Sequence, residues 1–314
     1  MRRMTEVLKE TNFDFLGRKK HGKVRDMYEQ RDRLILITTD RHSSFDRIVA
    51  HIPHKGQVLN QVSLWWFEQT KDIVPHHVIA SPDPNVTVGK KCTPVPIEAV
   101  MRGYLTGVTD TAIWTRYRAG QRGFGDIQLP HGMSKNQKLP HPIFDPTTKE
   151  DGHDRPISPQ DMIAEGFITH DLLEQIRDIT HKLFARGQDL AARRGLILVD
   201  SKYEFGTDEH GNLILIDEIH TPDSSRWWKL DSYQTRIAAG LEPEYFDKEF
   251  LRLWFKEHSD PYKDEKLPEA PADLIEELSR RYIEMYEQIT RQKFVPGDTP
   301  IIERLEKNLR PFAL

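Results

Sequence analysis

A chain of 314 residues, 37% hydrophobic and 30% charged, has enough material for one large or two smaller globular domains. Its formal net charge of −4 excludes a global basic footprint for nucleic acid, and no apolar run approaches the roughly 20 residues of a membrane span. A lone cysteine, Cys92, excludes an internal disulfide framework and a cysteine-cluster metal site.

The opening segment, MRRMTEVLKETNF, lacks the apolar core of a signal peptide, so a cytoplasmic, reducing setting is the expectation. Residues 12–50 read as β-rich, with strand-like runs at HGKVRDMYE (21–29) and RLILITTD (33–40). Gly22 at a β-turn lets backbone approach a phosphate, and Lys23 and Arg25 would neutralise it. An exposed hairpin turn explains the same residues, and the Lys-Ser/Thr pair of a P-loop is missing. TDRHSSFDRIV (39–49) crowds two aspartates, two arginines and two serines between apolar runs, as a ligand contact or a plain loop would. KGQVLNQVSLWWFEQT (55–70) has helical spacing in Val58, Leu59, Val62, Trp65 and Trp66.

Prolines punctuate a strand-and-turn region over 72–105, and the pair Pro94 and Pro96 reads as a stiff link between two lobes, 1–95 and 96–314. In PIEAVMRGYLTGV (96–108), Glu98 and Arg102 form a surface pair if the segment is helical. They share one side if it is extended, where an arginine among apolar neighbours holds a phosphate or carboxylate, or a structural ion pair. Residues 120–160 are Gly- and Pro-rich and read as a long loop, either functional or disordered. It holds Lys138, Lys149, His153 and Asp154, the last two compatible with acid–base work. A helical region is expected over 158–195, capped by Ser158 with Pro159 at its first position.

The segment LILVDSKYEFG (196–206) begins as a buried strand and then alternates Asp200, Lys202 and Glu204 along one face. LILIDEI (213–219) follows a turn-rich TDEHGN, so the two runs form a hairpin. A two-residue loop would set Asp217 opposite Glu204, and a four-residue loop would set it opposite Lys202. A slip by one would bring Glu218 there instead. Facing carboxylates need a cation between them, and Mg²⁺ takes one or two carboxylates plus phosphate oxygens. A solvated face with a Lys–Glu pair is the simpler alternative. TPDSSRWW (221–228) offers hydrogen-bonding groups or a helix cap directly afterwards, and ADLIEELSRRYIEMYEQIT (272–290) is an amphipathic helix.

In order, GKVRDMYE, TDRHSSFD, KGQVLNQVSLWWF, PIEAVMRGYLTG, QKLPHPIFDPTTK, HD, LVDSKYEFG and DEIHTPDSSRWW resemble the SAICAR synthetase family over residues 22–228. The resemblance implies an α+β, two-lobed ATP-binding fold, similar to ATP-grasp enzymes and protein kinases, with nucleotide held between a β-rich lobe and a larger lobe. It implies an ATP-dependent ligase joining L-aspartate to the carboxylate of 5-aminoimidazole-4-carboxylate ribonucleotide (CAIR), through an acyl phosphate. By motif, Gly22, Lys23, Arg25 and Glu98 would bind ATP, Glu204 and Asp217 would hold Mg²⁺, and Lys202 would meet the nucleotide or the transferring phosphoryl group. Arg102 and Arg226 would hold the CAIR phosphate. Ser44, Asp46 and Ser225 are further substrate candidates. Lys149 and Asp154 would act from a loop closing over the site. The family serine after RGYLTG is replaced by Val108, leaving Thr106 or Thr109 to supply a hydroxyl. A small-molecule kinase using the same ATP parts is the alternative activity. The trailing helices (231–314) leave open internal packing or a homodimer face.

Overall fold

Alternating apolar runs in the N-terminal part become antiparallel strands in the computed structural model, which describes residues 5–125, 127–149, 155–246 and 248–314. The chain is α+β and divides into two units. The first comprises Met1–Trp65, His77–Lys91 and Phe250–Leu314, and the second Trp66–His76 and Cys92–Glu249.

In the first unit, β1 (Arg18–His21), β2 (Arg25–Glu29), β3 (Arg33–Thr38), β6 (Val78–Asp83) and β7 (Val86–Lys90) make a five-stranded sheet in the order β1-β2-β3-β7-β6. Ile35, Ile37, Val86 and Val88 bury one of its faces with Leu16 and Tyr28. β1 is an edge strand whose Arg18, Lys20 and His21 are exposed, and charges of this kind keep an open edge from pairing with another chain. β4 (Arg41–Ser44) and β5 (Arg47–His51) form a separate hairpin. Its tip, Phe45-Asp46, has φ of 55° and 58°, the left-handed pair that a tight hairpin turn requires. Helix α1 (Lys55–Thr70) contains the change of unit at Trp65/Trp66.

The C-terminal helices α6 (Glu249–His258), α7 (Ala272–Thr290) and α8 (Ile301–Leu309) lie almost entirely in the first unit, although the sequence grouped them with the larger lobe. The reason is apolar: Leu305 and Leu309 of α8 complete the core over the five-stranded sheet. In α7, Leu278, Tyr282, Met285 and Ile289 form the buried stripe that its periodicity anticipates.

The second unit is built on β8 (Thr93–Tyr104) and β13 (Leu196–Thr207), the long antiparallel pair at the centre of a six-stranded sheet. β11 (Lys138–Phe144) and β12 (Thr147–Thr148) pair with the far edge of β8. β14 (Leu213–Ile216) and β15 (Ser225–Lys229) pair with β13. Pro94 and Pro96 are part of β8 rather than a free link, and Pro94 pairs with Gly206 where the ladder is irregular, which suits a residue without an N–H. Residues 120–157 are not a long structureless loop among those described. β9 (Gly123–Phe124) and β10 (Ile127–Gln128) precede β11 and β12, and Phe124, Leu129, Met133, Leu139 and Ile143 share a core with Ile113 and Tyr117 of α2 (Ile113–Arg118).

Ser158 caps α3 (Pro159–Ala164) by accepting from the Asp161 N–H, as its sequence announces. Helix α4 (His170–Ala192) covers one sheet face with Leu173, Ile176, Leu183 and Phe184, and α5 (Leu230–Ala238) follows β15. No helix among the described residues is long and apolar enough to cross a membrane.

Behind β13, Tyr203 and His220 are fully buried and share a 2.6 Å hydrogen bond, and Trp66 meets the His220 ring edge-on at 4.6 Å. Burial pushes the His220 imidazole down to about 3, so it is neutral. Gly187 of α4 makes room for this ring, since a Cβ there would lie 2.5 Å from His220 Cε1 and 2.6 Å from Leu198 Cδ2. Gly187→Ala is therefore expected to destabilise the protein by about 1–3 kcal/mol through overpacking, read from the shift of its urea unfolding midpoint.

Candidate active site

The register of β8 against β13 turns the alternation read in the sequence into a ladder of ions. Glu98 pairs with Glu204, Val100 with Lys202, and Arg102 with Asp200, all on one face. Glu98 and Glu204 are directly opposed carboxylates, which repel unless a cation lies between them. Lys202 is that cation: its Nζ donates to Glu98 Oε1 and Glu204 Oε1, each at 2.6 Å. Lys149, just after β12, donates to the other Glu204 oxygen, and Thr147 donates to Glu98 Oε2 at 3.1 Å. Burial opposes the charge on Lys202, but Glu204, Glu98 and Asp217 outweigh it and keep the ammonium protonated well above its usual range. Burial also raises the Glu204 carboxyl, and the two lysines more than reverse this, bringing it down to about 2.

The hairpin differs from both registers expected. Thr207 pairs with Leu213 and Glu204 with Ile216, so the connection is the five-residue loop 208–212. Asp208 fixes that length, its Oδ1 accepting from the backbone N–H of His210 at 3.0 Å and of Asn212 at 2.9 Å. Asp217 leaves the ladder with φ of 65°, and its charge still helps to stabilise the Lys202 ammonium.

Farther along the ladder, guanidinium groups replace ammonium ions. Arg226 Nη1 donates to Asp200 Oδ2 at 2.5 Å and its Nε faces Glu249 Oε2 at 3.4 Å. Arg102 donates through Nε to Asp145 Oδ2 at 3.0 Å and lies 3.7 Å from Asp200 through Nη1. All five residues are buried. Asp145 and Glu249 carry no sequence signal for this pairing. Asp200 alone carried a signal, its alternation with Lys202 and Glu204.

The hydroxyl candidates fare unequally. Thr106 is 1% exposed and donates to Asn136 Oδ1 at 2.6 Å, so its only proton is already used. Ser225 is buried and donates to Ser201 Oγ at 2.9 Å. Asp154, with His153, lies outside the described residues.

In the first unit, Gly22 sits at the β1–β2 turn, its N–H donating to the Arg25 carbonyl at 2.8 Å, and a Cβ there would lie 2.8 Å from that oxygen. The turn is clamped from beneath. Arg41, which is buried, donates to the Gly22 carbonyl at 2.9 Å and to Asp26 Oδ1 at 2.8 Å, and Thr39 Oγ1 donates to the Val24 carbonyl at 2.6 Å. Lys23, exposed at the turn, pairs with Asp46 at the tip of the β4–β5 hairpin. Ser44 is buried, with its Oγ 3.5 Å from His42 Nε2. The structure thus brings Lys23 to Asp46, and, separately, Glu98, Lys149, Lys202 and Glu204 to one another.

The donor set of the second unit fits Mg²⁺. Its ligand atoms are hard carboxylate oxygens, and ammonium ions occupy the space that a cation would take. Among the described residues no three His, Cys, Asp or Glu side chains converge into a metal cage.

The chain matches the SAICAR synthetase family model over residues 18–269. It is 54% identical over 311 residues to the phosphoribosylaminoimidazole-succinocarboxamide synthase of Legionella pneumophila (strain Paris), covering 98% of this chain and 99% of that protein. Among solved structures, SAICAR synthase from Saccharomyces cerevisiae complexed with SAICAR matches with a TM-score of 0.78 at 30% identity, covering 92% of this chain and 100% of the yeast one. A SAICAR synthetase in complex with ADP matches with a TM-score of 0.68 at 26% identity, covering 89% of this chain and 100% of that one.

The Lys202 cluster makes a prediction about stability. Lys202→Met leaves Glu98 and Glu204 opposed, with Lys149 on one Glu204 oxygen, at a cost of about 3–5 kcal/mol at neutral pH. One carboxyl then titrates above its ordinary value of about 4.3 in the folded protein, so stability rises as the pH falls from 7 towards 5. The parent protein has the opposite sign, because Glu204, held down to about 2, stabilises the fold above the ordinary carboxylate pKa and ceases to as acid approaches 2. Urea midpoints measured from about pH 7 down to about pH 3 distinguish the two: the variant's rises from pH 7 towards 5, whereas the Glu204 contribution in the parent is constant there and declines only below the ordinary carboxylate pKa.

Proposed function

The chain belongs to the SAICAR synthetase family, and on that premise we propose how its residues carry the family's reaction. The activity is that of a carbon–nitrogen ligase of purine biosynthesis, consuming ATP to join L-aspartate to the CAIR carboxylate and give SAICAR, ADP and phosphate. The observation that carries the assignment of roles is Lys202, seated between Glu98 and Glu204 with Lys149 on the outer oxygen.

A carboxylate is a poor acyl donor and must be activated. A CAIR carboxylate oxygen takes the γ-phosphoryl group as the β–γ bridging bond of ATP breaks, and ADP leaves. The aspartate amine then attacks the carbonyl carbon, and phosphate departs with the oxygen that had bound it, while the amine loses its proton. Such chemistry asks the protein mainly to position and neutralise anions. Glu204 and Asp217 would hold Mg²⁺, which neutralises phosphoryl oxygens when bound. Lys202 and Lys149 would exchange carboxylate partners for phosphoryl oxygens, a move that suits compact, flexible ammonium groups. Gly22, Lys23 and Arg25 would contact ATP phosphates, Lys23 giving up Asp46 to do so. Arg102 and Arg226, fixed by Asp145 and Asp200, would grip the CAIR phosphate as rigid forks.

ADP release that requires CAIR and aspartate together is the expected result of a coupled assay. Release with an alcohol acceptor and no aspartate would refute the ligase assignment in favour of a kinase. With ¹⁸O in the CAIR carboxylate, one labelled oxygen is expected in the phosphate product, and unlabelled phosphate rules out the acyl phosphate. Glu204→Gln and Asp217→Asn are expected to stay folded and lose most turnover, and near-normal rates at saturating Mg²⁺ in both would remove the metal assignment. Arg102→Ala and Arg226→Ala should raise KM for CAIR about 10- to 150-fold and leave KM for ATP little changed.

A further inference from the structure

The guanidinium row does not end at Arg102. Arg116 of α2 donates through Nη2 to Asp145 Oδ2, the same oxygen that accepts from Arg102 Nε. Two carboxylates therefore string three guanidiniums together, in the order Arg116, Asp145, Arg102, Asp200, Arg226. The row is unevenly compensated. Arg226 has both Asp200 and Glu249, whereas Arg116 and Arg102 share one oxygen of Asp145, and among the described residues Arg116 has no second carboxylate. Burial weakens the charge on Arg116, Asp145 supports it and Arg102 opposes it. Among the described residues its Nε is buried without a hydrogen-bond partner, and its side chain is only 13% exposed. A buried guanidinium with spare donors, beside another that must share its counter-ion, is a place where an added anion lowers the energy of both.

The turn after β8 lies on this row. Gly107, with φ of 99°, packs so closely that a Cβ there would lie 2.8 Å from Arg226 Nη2. That turn offers no hydroxyl from Val108, and the Thr106 proton is committed to Asn136. We propose that Arg116 is a third phosphate-binding residue of the substrate site, its guanidinium supplying a donor beside that of Arg102. The proposal rests on the assignment of Arg102 and Arg226 to the substrate phosphate.

The test separates contact with phosphate from a purely structural role through Asp145. The carboxamide analogue of the substrate ribonucleotide and the matching riboside, which lacks the phosphate, are titrated by calorimetry into Arg116→Met, Arg116→Lys, Thr109→Ala, Arg102→Ala and the parent protein. Arg116→Met is expected to weaken the ribonucleotide about tenfold or more, with riboside and ATP affinities within about twofold of the parent and part of the loss restored in Arg116→Lys. Unchanged ATP affinity in the same samples establishes that each variant is folded. Equal weakening of ribonucleotide and riboside overturns the proposal, as does phosphate selectivity lost in Thr109→Ala and kept in Arg116→Met. If Arg102→Ala loses the selectivity and Arg116→Met keeps it, this proposal alone fails. If Arg102→Ala leaves ribonucleotide binding intact, the parent assignment fails and takes this one with it.

Discussion

Mutual neutralisation across the β8–β13 pair is the constraint on which the second unit depends. Five ionised side chains, Glu98, Arg102, Asp200, Lys202 and Glu204, share one sheet face, and all but Lys202 are buried. An isolated buried ion costs several kcal/mol, so each must find its opposite within the ladder or beside it. Strand register settles which ions meet, and short neighbours complete the set: Lys149 and Thr147 at one end, Asp145 and Arg226 at the other. The choice of cation follows the task at each end. Ammonium groups, which can change partners, stand where we propose phosphoryl transfer, and planar guanidiniums, which hold theirs, stand where we propose that a substrate phosphate is kept.

The first unit solves a related problem with a neutral backbone. The β1–β2 turn, which we propose meets ATP phosphates, leaves Lys23 exposed. Support comes from below, where Arg41 joins the Gly22 carbonyl to Asp26, and Asp26 in turn accepts from the backbone and hydroxyl of Thr11. Burial raises the Asp26 carboxyl, but Arg41, Thr11 and Lys19 more than offset it, so the clamp is ionic as well as geometric.

Much of this was legible in the residues, and the failures have physical causes. Period-two alternation in 200–204 named the ionic face correctly, and the stripe in 272–290 named a helix, because both signals come from local geometry. The hairpin register escaped because it depends on the Asp208 side chain capturing backbone N–H groups, which lengthens the loop to five residues. Residues 120–157 looked structureless because their strands are two to seven residues long and their core, around Phe124 and Met133, is assembled from dispersed single residues. Glu98 and Arg102 were ambiguous for a related reason: spacing of four serves a helix, and it also serves a strand with an even offset. Asp145, Arg116 and Glu249 left no sequence signal, since a carboxylate that gathers arginines from remote elements is defined only by tertiary pairing.

The same alternation limits how this gene can change in length. From Asp200 to Phe205 of β13, odd residues such as Tyr203 and Phe205 enter the packed interior while the even ones, Asp200, Lys202 and Glu204, join the ladder, so inserting or deleting one codon there exchanges the two populations and ruins both. Four of the five loop residues, Glu209 to Asn212, are exposed and lie beyond the last ladder pair, Thr207 with Leu213. Lineages gaining or losing residues in this hairpin are expected to do so there, and a peptide epitope or fluorescent reporter spliced between Glu209 and Gly211 would leave both strands in phase.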